Sequence, residues 1–297
     1  MTTKPDILCI GSVLWDVIGR SKSSMRQGSD VPGRITQLPG GVALNIAMTL
    51  RRFDLRPALL SAVGRDPDGD QLIAEVDAMG LICDYLYRSA DLPTDRYMAV
   101  EGANGLIAAI ADAHSLEAAG AKILTPLQDG TLGDTSSPYS GMIALDGNLT
   151  LSLLNNIASD PLFANADLRV APASPGKAER LRPFLDQSRA TLYVNLEEAS
   201  TLCQRSFETA AGAAQGLLDR GAARALVTDG GNAAAEADAS GLRQATPPQV
   251  LVARVTGAGD TFMAAHMSAE LRDADPQAAL EQALQAAARY VSGETAH

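Results

Sequence analysis

The stretch Val255-Thr256-Gly257-Ala258-Gly259-Asp260 is the most informative motif of this chain, and an apolar run with helical spacing follows it directly. The glycines on either side of Ala258 allow backbone N–H groups to approach an anion closely. The unsatisfied N–H groups and the dipole at the start of the following helix point toward the same place. The stretch therefore predicts an anion hole for a phosphate group, formed by Thr256, Gly257, Ala258 and Gly259.

Asp260 stands at the start of the predicted helix, where its carboxylate can accept a proton from a hydroxyl group that attacks phosphorus. The backbone amides would stabilise the charge on the transferred group in the same reaction. The alternative is a tight glycine turn followed by a helix-capping aspartate, which is a common use of both residue types. The stretch alone does not decide between them.

A second glycine pair precedes an apolar helical pattern near the N-terminus, in Pro39-Gly40-Gly41-Val42-Ala43-Leu44-Asn45-Ile46-Ala47. Asn45 is polar at a position where a helix that faces the core would carry an apolar residue. Two glycine motifs that each open a helix favour a ligand site over two unrelated turns.

The two motifs, in this order, resemble those of the ribokinase/PfkB family of sugar and nucleoside kinases. That family has an N-terminal signature of two glycines followed by N-x-A and a C-terminal signature that ends in T-G-A-G-D. Weaker matches lie at residues 11–16, 63–69, 195–198 and 227–231, so the resemblance spans nearly the whole chain. It implies an ATP-dependent phosphotransferase with an alcohol group as acceptor.

Alternating apolar strand and helix patterns predict an α/β fold with a mostly parallel sheet covered on both faces. Buried strands are predicted at residues 7–11, 58–64, 141–148, 167–172, 191–195 and 223–228, and helices at 41–53, 70–79, 260–272 and 276–292. The resemblance makes the expectation more specific, namely a ribokinase-like three-layer α/β/α sandwich in a single domain over residues 1–297.

Two segments interrupt the alternation and predict a small separate sheet. Residues 13–37 are polar and contain several glycines, with a strand-like run at 34–38, and residues 96–111 favour two strands around a glycine turn. The resemblance implies that a lid over the sugar site is formed by segments 13–38 and 96–111. An ordinary surface hairpin is the alternative.

The resemblance assigns Asp260 as general base and four further residues to the acceptor. Asp16 would accept hydrogen bonds from substrate hydroxyls, Gly40 and Gly41 would let the backbone approach the substrate, and Asn45 would bond a hydroxyl. A solvated Asp16 on the surface is the alternative, since exposed carboxylates are common.

The nucleotide side of the site is implied by the same resemblance. Asn195 and Glu198 match an N-x-x-E element that acts through water on the Mg²⁺ of bound ATP, so no direct metal ligand is expected. Thr228 and Gly230 match positions that contact the nucleotide. Arg254 replaces an aspartate that helps many members to bind a monovalent cation, which leaves a potassium site in doubt.

Composition favours a small-molecule partner. The net charge is −11 and no basic patch is evident, which argues against nucleic acid, and no run reaches membrane-spanning length. The three cysteines are too far apart to predict a disulfide framework or a zinc site, which suggests a cytoplasmic protein. The three histidines, His114, His266 and His297, are likewise too scattered for metal ligands, and surface roles are expected for Lys177 and Arg169.

The acceptor is predicted from three local features that look most like the pseudouridine kinase branch. These are the hairpin at residues 97–112, the strand 143–149 and Val255-Thr256 before the glycine loop. Another nucleoside, a free sugar such as ribose or fructose, and a catalytically idle sensor are the alternatives. A dinucleotide oxidoreductase is disfavoured because the first strand is not followed by G-x-G-x-x-G. A homodimer through the lid is a further expectation from the resemblance.

Overall fold

The computed structural model describes residues 4–26, 28–186 and 189–294. Its largest sheet has eight strands in the order β14-β13-β12-β11-β10-β9-β1-β4. The six strands from β12 to β4 are parallel, and β13 and β14 are antiparallel at one edge. These strands are β1 Ile7–Ile10, β4 Pro57–Leu60, β9 Met142–Asp146, β10 Asp167–Ala171, β11 Thr191–Asn195, β12 Arg224–Thr228, β13 Ala234–Asp238 and β14 Gly241–Ala245.

Helices cover both faces of this sheet, so the predicted three-layer α/β/α architecture is confirmed. In β1, Ile7 and Cys9 pack with one set of helices while Leu8 and Ile10 pack with the other, as the alternation of side chains along a strand requires. The first set is α1 Val42–Arg52, α2 Pro67–Ala78, α8 Ala258–Glu270 and α9 Pro276–Ser292. The second set is α3 His114–Ala119, α4 Leu151–Ser159, α5 Pro183–Asp186, α6 Leu196–Cys203 and α7 Ala210–Asp219.

A separate small sheet has the order β3-β2-β7-β8. Its strands are β2 Leu14–Arg20, β3 Arg34–Gly40, β7 Arg96–Gly102 and β8 Gly105–Asp112. The predicted small sheet is therefore present, but β2 was not identified as a strand within the polar segment. Because much of this sheet is exposed, β2 lacks the continuous apolar run that marks a buried strand.

The prediction of one strand over residues 58–64 is wrong. This run contains the end of β4 and a separate strand, β5 Ala62–Gly64, which pairs with β6 Tyr87–Ser89 in a two-stranded sheet. Both parts are fully buried, so the apolar pattern does not reveal the change of sheet at Ser61. The sequence interpretation also did not identify β13, β14, α6 and α7. Ala-rich β13 lacks the β-branched residues that are typical of strands.

No helix among the described residues is long and apolar enough to cross a bilayer. His297, which was not expected to be a metal ligand, lies outside the described residues.

Candidate active site

The residues singled out by the sequence meet at the carboxyl ends of the parallel strands, where open α/β sheets bind their ligands. Asn195 ends β11 and pairs in register with Thr228 at the end of β12. Asp146 ends β9, and Ser12 lies in the loop after the neighbouring β1. The start of α8 and the start of α1 meet above these strands.

The glycine loop before α8 is held against α9. Gly257 is the N-cap residue with a φ of 87°, and a Cβ atom there would lie 2.5 Å from the Tyr290 hydroxyl. That hydroxyl donates to the Thr256 carbonyl at 2.9 Å. Arg254 stacks over the Tyr290 ring at 3.9 Å and donates through Nε to its carbonyl. Gly257 therefore has a conformational and a packing reason to be glycine.

Two backbone donors in this loop are free to bind a ligand. The Ala258 N–H group bonds to the Val255 carbonyl at 3.0 Å. The N–H groups of Gly259 and Asp260 have no acceptor in the described part of the chain. Gly259 also has open space on the side where a Cβ atom would stand. Such donors at a helix N-terminus form a suitable site for a phosphate group.

Asp260 lies half-buried in the third position of α8. Its Oδ2 atom accepts a hydrogen bond of 2.9 Å from Asn45 Nδ2 in α1. Burial raises the pKa of Asp260 from 3.8 to about 7, and the negative charges of Asp146, Glu198 and Asp16 act in the same direction, against the lowering effect of the Asn45 bond. A carboxylate with this pKa is suited to accept a proton near neutral pH.

Asp16 stands in β2, on the small sheet, directly against Gly40 of β3. A Cβ atom on Gly40 would lie only 2.1 Å from Asp16 Oδ2, so only glycine leaves room for the carboxylate. Burial raises the pKa of Asp16 to about 6. Within the described residues no side chain or N–H group donates a hydrogen bond to it. Asp16 is half-buried and has acceptor capacity left for a ligand.

Gly41 allows the loop after β1 to approach the start of α1. Its φ is 102°, and a Cβ atom would lie 2.5 Å from the Ser12 carbonyl oxygen. The Ser12 hydroxyl accepts a hydrogen bond of 2.9 Å from Val42 N–H. It also donates to the fully buried carboxylate of Asp146. Neither Ser12 nor Asp146 was predicted as a site residue from the sequence, although an aspartate at the end of a buried strand is a signal that could have identified Asp146.

Asn195 and Glu198 form a capping box at the start of α6. Asn195 Oδ1 accepts from Glu198 N–H at 2.9 Å, and Glu198 Oε2 accepts from Asn195 N–H at 2.8 Å. Glu198 is buried, and burial raises its pKa to about 7. The N-x-x-E element thus has a structural role in helix capping. Its negative charge contributes to the raised pKa of Asp260.

Thr228 and Gly230 lie in the turn after β12. Thr228 is half-buried at the strand end, whereas Gly230 is exposed, has a φ of 56° and has open space around it. Asp229 accepts a hydrogen bond from Asn232 within the same turn at 3.0 Å. The turn follows the strand end at Thr228, which pairs in register with Asn195.

The expectation that Arg169 has a surface role is wrong. Only 6% of the residue is exposed, and its guanidinium group donates to Asp167, Tyr193 and Glu270. It lies at the far end of α8 from Asp260. Lys177, in contrast, is half-buried and donates to Asn148 Oδ1 at 2.5 Å, close to Asp146.

Comparison with known proteins identifies the family of this chain. Residues 4–296 match the pfkB family carbohydrate kinase domain, and the chain belongs to this family. It is 31% identical to pseudouridine kinase of Escherichia coli over 269 residues, covering 89% of this chain and 83% of that protein. It is 28% identical to pseudouridine kinase of Arabidopsis thaliana over 179 residues, which cover 58% of this chain and 44% of that protein.

Solved structures confirm the ribokinase-like fold. A putative sugar kinase from Clostridium perfringens superposes with a TM-score of 0.79 at 21% identity, covering 98% of this chain and 90% of that one. Ribokinase from Thermotoga maritima superposes with a TM-score of 0.76 at 20% identity, covering 97% and 93%. The chain is therefore a phosphotransferase of the sugar and nucleoside kinase class.

Proposed function

We propose that this protein transfers the γ-phosphoryl group of ATP to the 5′-hydroxyl group of pseudouridine. The observation that carries the proposal is the pairing of Asp260 with Asn45 beside the free N–H groups of Gly259 and Asp260. A proton acceptor and an anion site then share one helix start. The choice of acceptor is supported by the similarity to two pseudouridine kinases.

In the proposed reaction Asp260 takes the proton of the 5′-hydroxyl while the 5′-oxygen forms its bond to the γ-phosphorus. The bond between that phosphorus and the oxygen bridging to ADP breaks, and its electron pair leaves with ADP. The free N–H groups of Gly259 and Asp260 stabilise the charge on the transferred group. Thr256 and Gly257 complete this anion hole by holding the loop against Tyr290, while the Ala258 N–H group bonds to the Val255 carbonyl and closes the turn.

Asp16 and Asn45 are proposed to hold the ribose hydroxyls. The Asp16 carboxylate has acceptor capacity available, and ionised carboxylates form strong hydrogen bonds to hydroxyl groups. Gly40 and Gly41 allow the backbone to come close to the sugar ring. The small sheet that carries Asp16 would act as a lid, excluding water when it closes over the nucleoside.

The residues near Glu198 fit Mg·ATP. A buried carboxylate with a raised pKa becomes ionised more readily beside a divalent cation, and Mg²⁺ prefers oxygen ligands and keeps several waters. Glu198 and Asn195 would contact these waters, while Thr228 and Gly230 border the nucleotide. When bound, Mg²⁺ would neutralise charge on the phosphate oxygens. We assign no potassium site, since Arg254 is engaged with Tyr290.

The small sheet is also proposed to pair two copies of the chain. Ile35, Met98 and Ile110 are 77%, 45% and 61% exposed. The strand registers place all three on the face opposite Asp16. A second copy would cover this apolar surface without obstructing the site.

The acceptor assignment is tested by Mg·ATP-dependent ADP release with pseudouridine, uridine, adenosine, ribose and fructose, with Asp260→Ala as the control. We expect kcat/KM to be highest for pseudouridine and turnover to be lost in the variant. A preference for a free sugar would overturn the acceptor and leave the kinase class intact. Binding of pseudouridine without ADP release would instead indicate a sensor.

A further inference from the structure

A compact set of hydrogen bonds joins the loop after β1 to the end of β9. Its centre is Asp146, which is fully buried. Asp146 Oδ2 accepts from the N–H group of Ser12 at 2.8 Å and from the Ser12 hydroxyl. Asp146 Oδ1 accepts from Asn148 N–H at 2.7 Å. A carboxylate that receives this many donors is fixed in one orientation.

The Ser12 hydroxyl extends this set of hydrogen bonds to α1. It donates to Asp146 and accepts from Val42 N–H at 2.9 Å and from Asn148 Nδ2 at 3.1 Å. The Ser12 carbonyl oxygen accepts from Leu44 N–H at 3.3 Å. Two N–H groups in the first turn of α1, which a helix cannot satisfy internally, are thereby bound by one serine.

Close backbone packing restricts the movement of these hydrogen-bonded groups. A Cβ atom on Gly11 would lie 2.2 Å from Asp146 Cβ, and one on Gly41 would lie 2.5 Å from the Ser12 carbonyl oxygen. Asn45, the residue after Leu44, donates to Asp260. The path from Asp146 to the proposed base therefore consists of Ser12, the first turn of α1 and Asn45.

We propose that Asp146, acting through Ser12, is a positioning residue that sets the orientation of Asn45 and hence of the Asp260 carboxylate. Asp146 influences Asp260 in two ways, through the hydrogen bonds that run by way of Ser12 and Asn45 and through its negative charge. The inference rests on the proposed role of Asp260 as base and does not depend on which acceptor is phosphorylated.

The charged groups that face Asp260 come from several elements. They are Asp16 of β2, Asp146 of β9 and Glu198 of α6, all acidic, while α1 presents the Asn45 amide. From α9, the Tyr290 hydroxyl bonds the Thr256 carbonyl in the loop before α8. Lys177 reaches Asn148, where it bonds the amide oxygen. Removing the charge of Asp146 therefore changes the field at Asp260 in a known direction, toward easier ionisation.

The test compares Asp146→Asn, Ser12→Ala and the matched control Asp95→Asn in the full-length protein. Asp95 is also buried, and its carboxylate also accepts two backbone N–H groups, from Ser115 and Leu116, at the start of α3. Asp95 is not among the charged groups that raise the pKa of Asp260, which are Asp146, Glu198 and Asp16. The readouts are kcat, the KM for ATP, the pH profile of kcat/KM and hydrogen exchange of residues 42–46.

We expect Asp146→Asn to lower kcat between about 10-fold and 100-fold, as misplacement of a reacting group does, with the KM for ATP changed less than about twofold. The acidic limb of its pH profile moves to lower pH because a negative charge beside Asp260 is gone. Ser12→Ala lowers kcat while that limb stays in place or moves to higher pH, since the Asp146 charge remains and the Asn45 bond is weakened. Hydrogen exchange of residues 42–46 becomes faster in both variants and stays unchanged in Asp95→Asn.

The proposal is overturned if Asp146→Asn keeps kcat within about twofold of the unmodified protein, a difference too small for a displaced base. It is also overturned if Asp95→Asn lowers kcat and accelerates exchange of residues 42–46 to the same extent, because the effect would then be general destabilisation. Full activity of Asp260→Ala would instead remove the proposed base, which is a separate failure.

Discussion

Asp260 and Asn45 are 215 positions apart in the sequence and are joined by one hydrogen bond of 2.9 Å. At the residue scale, this contact and the approach of Asp16 to Gly40 account for most of the site. Each contact involves a carboxylate whose charge or hydrogen-bonding capacity is only partly compensated by the surrounding protein. Asp260 is held in an environment that disfavours its ionised form, and Asp16 has acceptor capacity left for a ligand. Both features cost stability, as functional sites often do.

We expect Asp260→Asn to be inactive and yet more stable than the unmodified protein at pH 8. The folded-state pKa of Asp260, about 7, lies above its ordinary value of 3.8. Its contribution to stability is therefore fully present below pH 3.8 and is lost as pH rises through about 7. The amide avoids this loss and can still accept from Asn45. Thermal unfolding at pH 8 and pH 5 checks the prediction, which fails if the gain in Tm is not larger at pH 8.

The same pKa sets the pH dependence of activity. The base must be ionised, so kcat/KM should fall as pH decreases through about 7.

Gly40→Ala should raise the KM for the acceptor and leave the KM for ATP nearly unchanged. The new Cβ atom would collide with Asp16 Oδ2 and push the carboxylate away from its position. Gly19→Ala is the matched control, because Gly19 lies on the same strand as Asp16 with its closest neighbours at 3.8 Å and 3.9 Å, an ordinary contact distance. Steady-state kinetics distinguish the two variants. An equal effect of both would mean that the small sheet, rather than Asp16, is sensitive to substitution.

At the element scale, two different glycines at the start of α8 meet the requirement for a turn and the requirement for an anion site. Gly257 has a φ of 87° and packs against Tyr290, whereas Gly259 has no such constraint from the protein. The start of α6 combines two roles in another way, because Glu198 both caps the helix and faces the site. Substitutions can therefore distinguish stability from function in each element.

Gly259→Ala should lower kcat strongly with little change in Tm, because its methyl group would occupy the space proposed for the phosphate. Gly257→Ala should lower both kcat and Tm, since a left-handed conformation and a collision with Tyr290 are forced on alanine. Thermal unfolding and steady-state kinetics of both variants provide the measurement. Wild-type activity of Gly259→Ala would show that the phosphate does not approach this residue.

Glu198→Gln should increase the Mg²⁺ concentration required for half-maximal activity without lowering stability, because burial already disfavours the ionised form of Glu198. Glutamine can still accept from Asn195 N–H, but it carries no charge. Asn195→Ala removes the capping side chain and should cost about 1 kcal/mol of unfolding free energy. Mg²⁺ titrations and urea denaturation separate the two effects. An unchanged Mg²⁺ dependence in Glu198→Gln would limit the residue to helix capping.

The elements with clear end signals were predicted most accurately from the sequence. The strand at residues 191–195 and the helix at 276–292 match β11 and α9 residue for residue, because Asn195 caps the next helix and Pro276 follows the capping Asp275. The change of sheet at Ser61 was missed because both sides are equally apolar and buried. The contact of Ser12 with Asp146 was also missed. It depends on the order of strands in the sheet, which places β9 beside β1.

At the scale of the whole molecule, the candidate site lies between the large, well-buried sandwich and a more exposed small sheet. The sandwich supplies Asp260, Asn45, Glu198 and Asp146, and the small sheet supplies Asp16. On the face away from Asp16, the exposed side chains of the small sheet include the large apolar Ile35, Met98 and Ile110. Such an apolar surface is suited to contact a second copy of the chain.

The protein should therefore be a dimer in sedimentation equilibrium, and Ile35→Glu combined with Met98→Glu should shift it toward monomer. Burying an unpaired charge in an apolar interface is costly. Leu242→Glu serves as the control, because Leu242 is 45% exposed on the edge strand β14 of the other sheet. A monomer in the unmodified protein, or an equal effect of the control, would contradict this arrangement.

The most direct test of the central claim is phosphorus NMR of the product formed from pseudouridine and Mg·ATP by the unmodified protein and by Asp260→Ala. We predict one new phosphomonoester signal, coupled to the two 5′ methylene protons, that forms with the unmodified protein and is lost with the variant. A phosphate on another hydroxyl group, no transfer to pseudouridine, or equal transfer by Asp260→Ala would contradict the account.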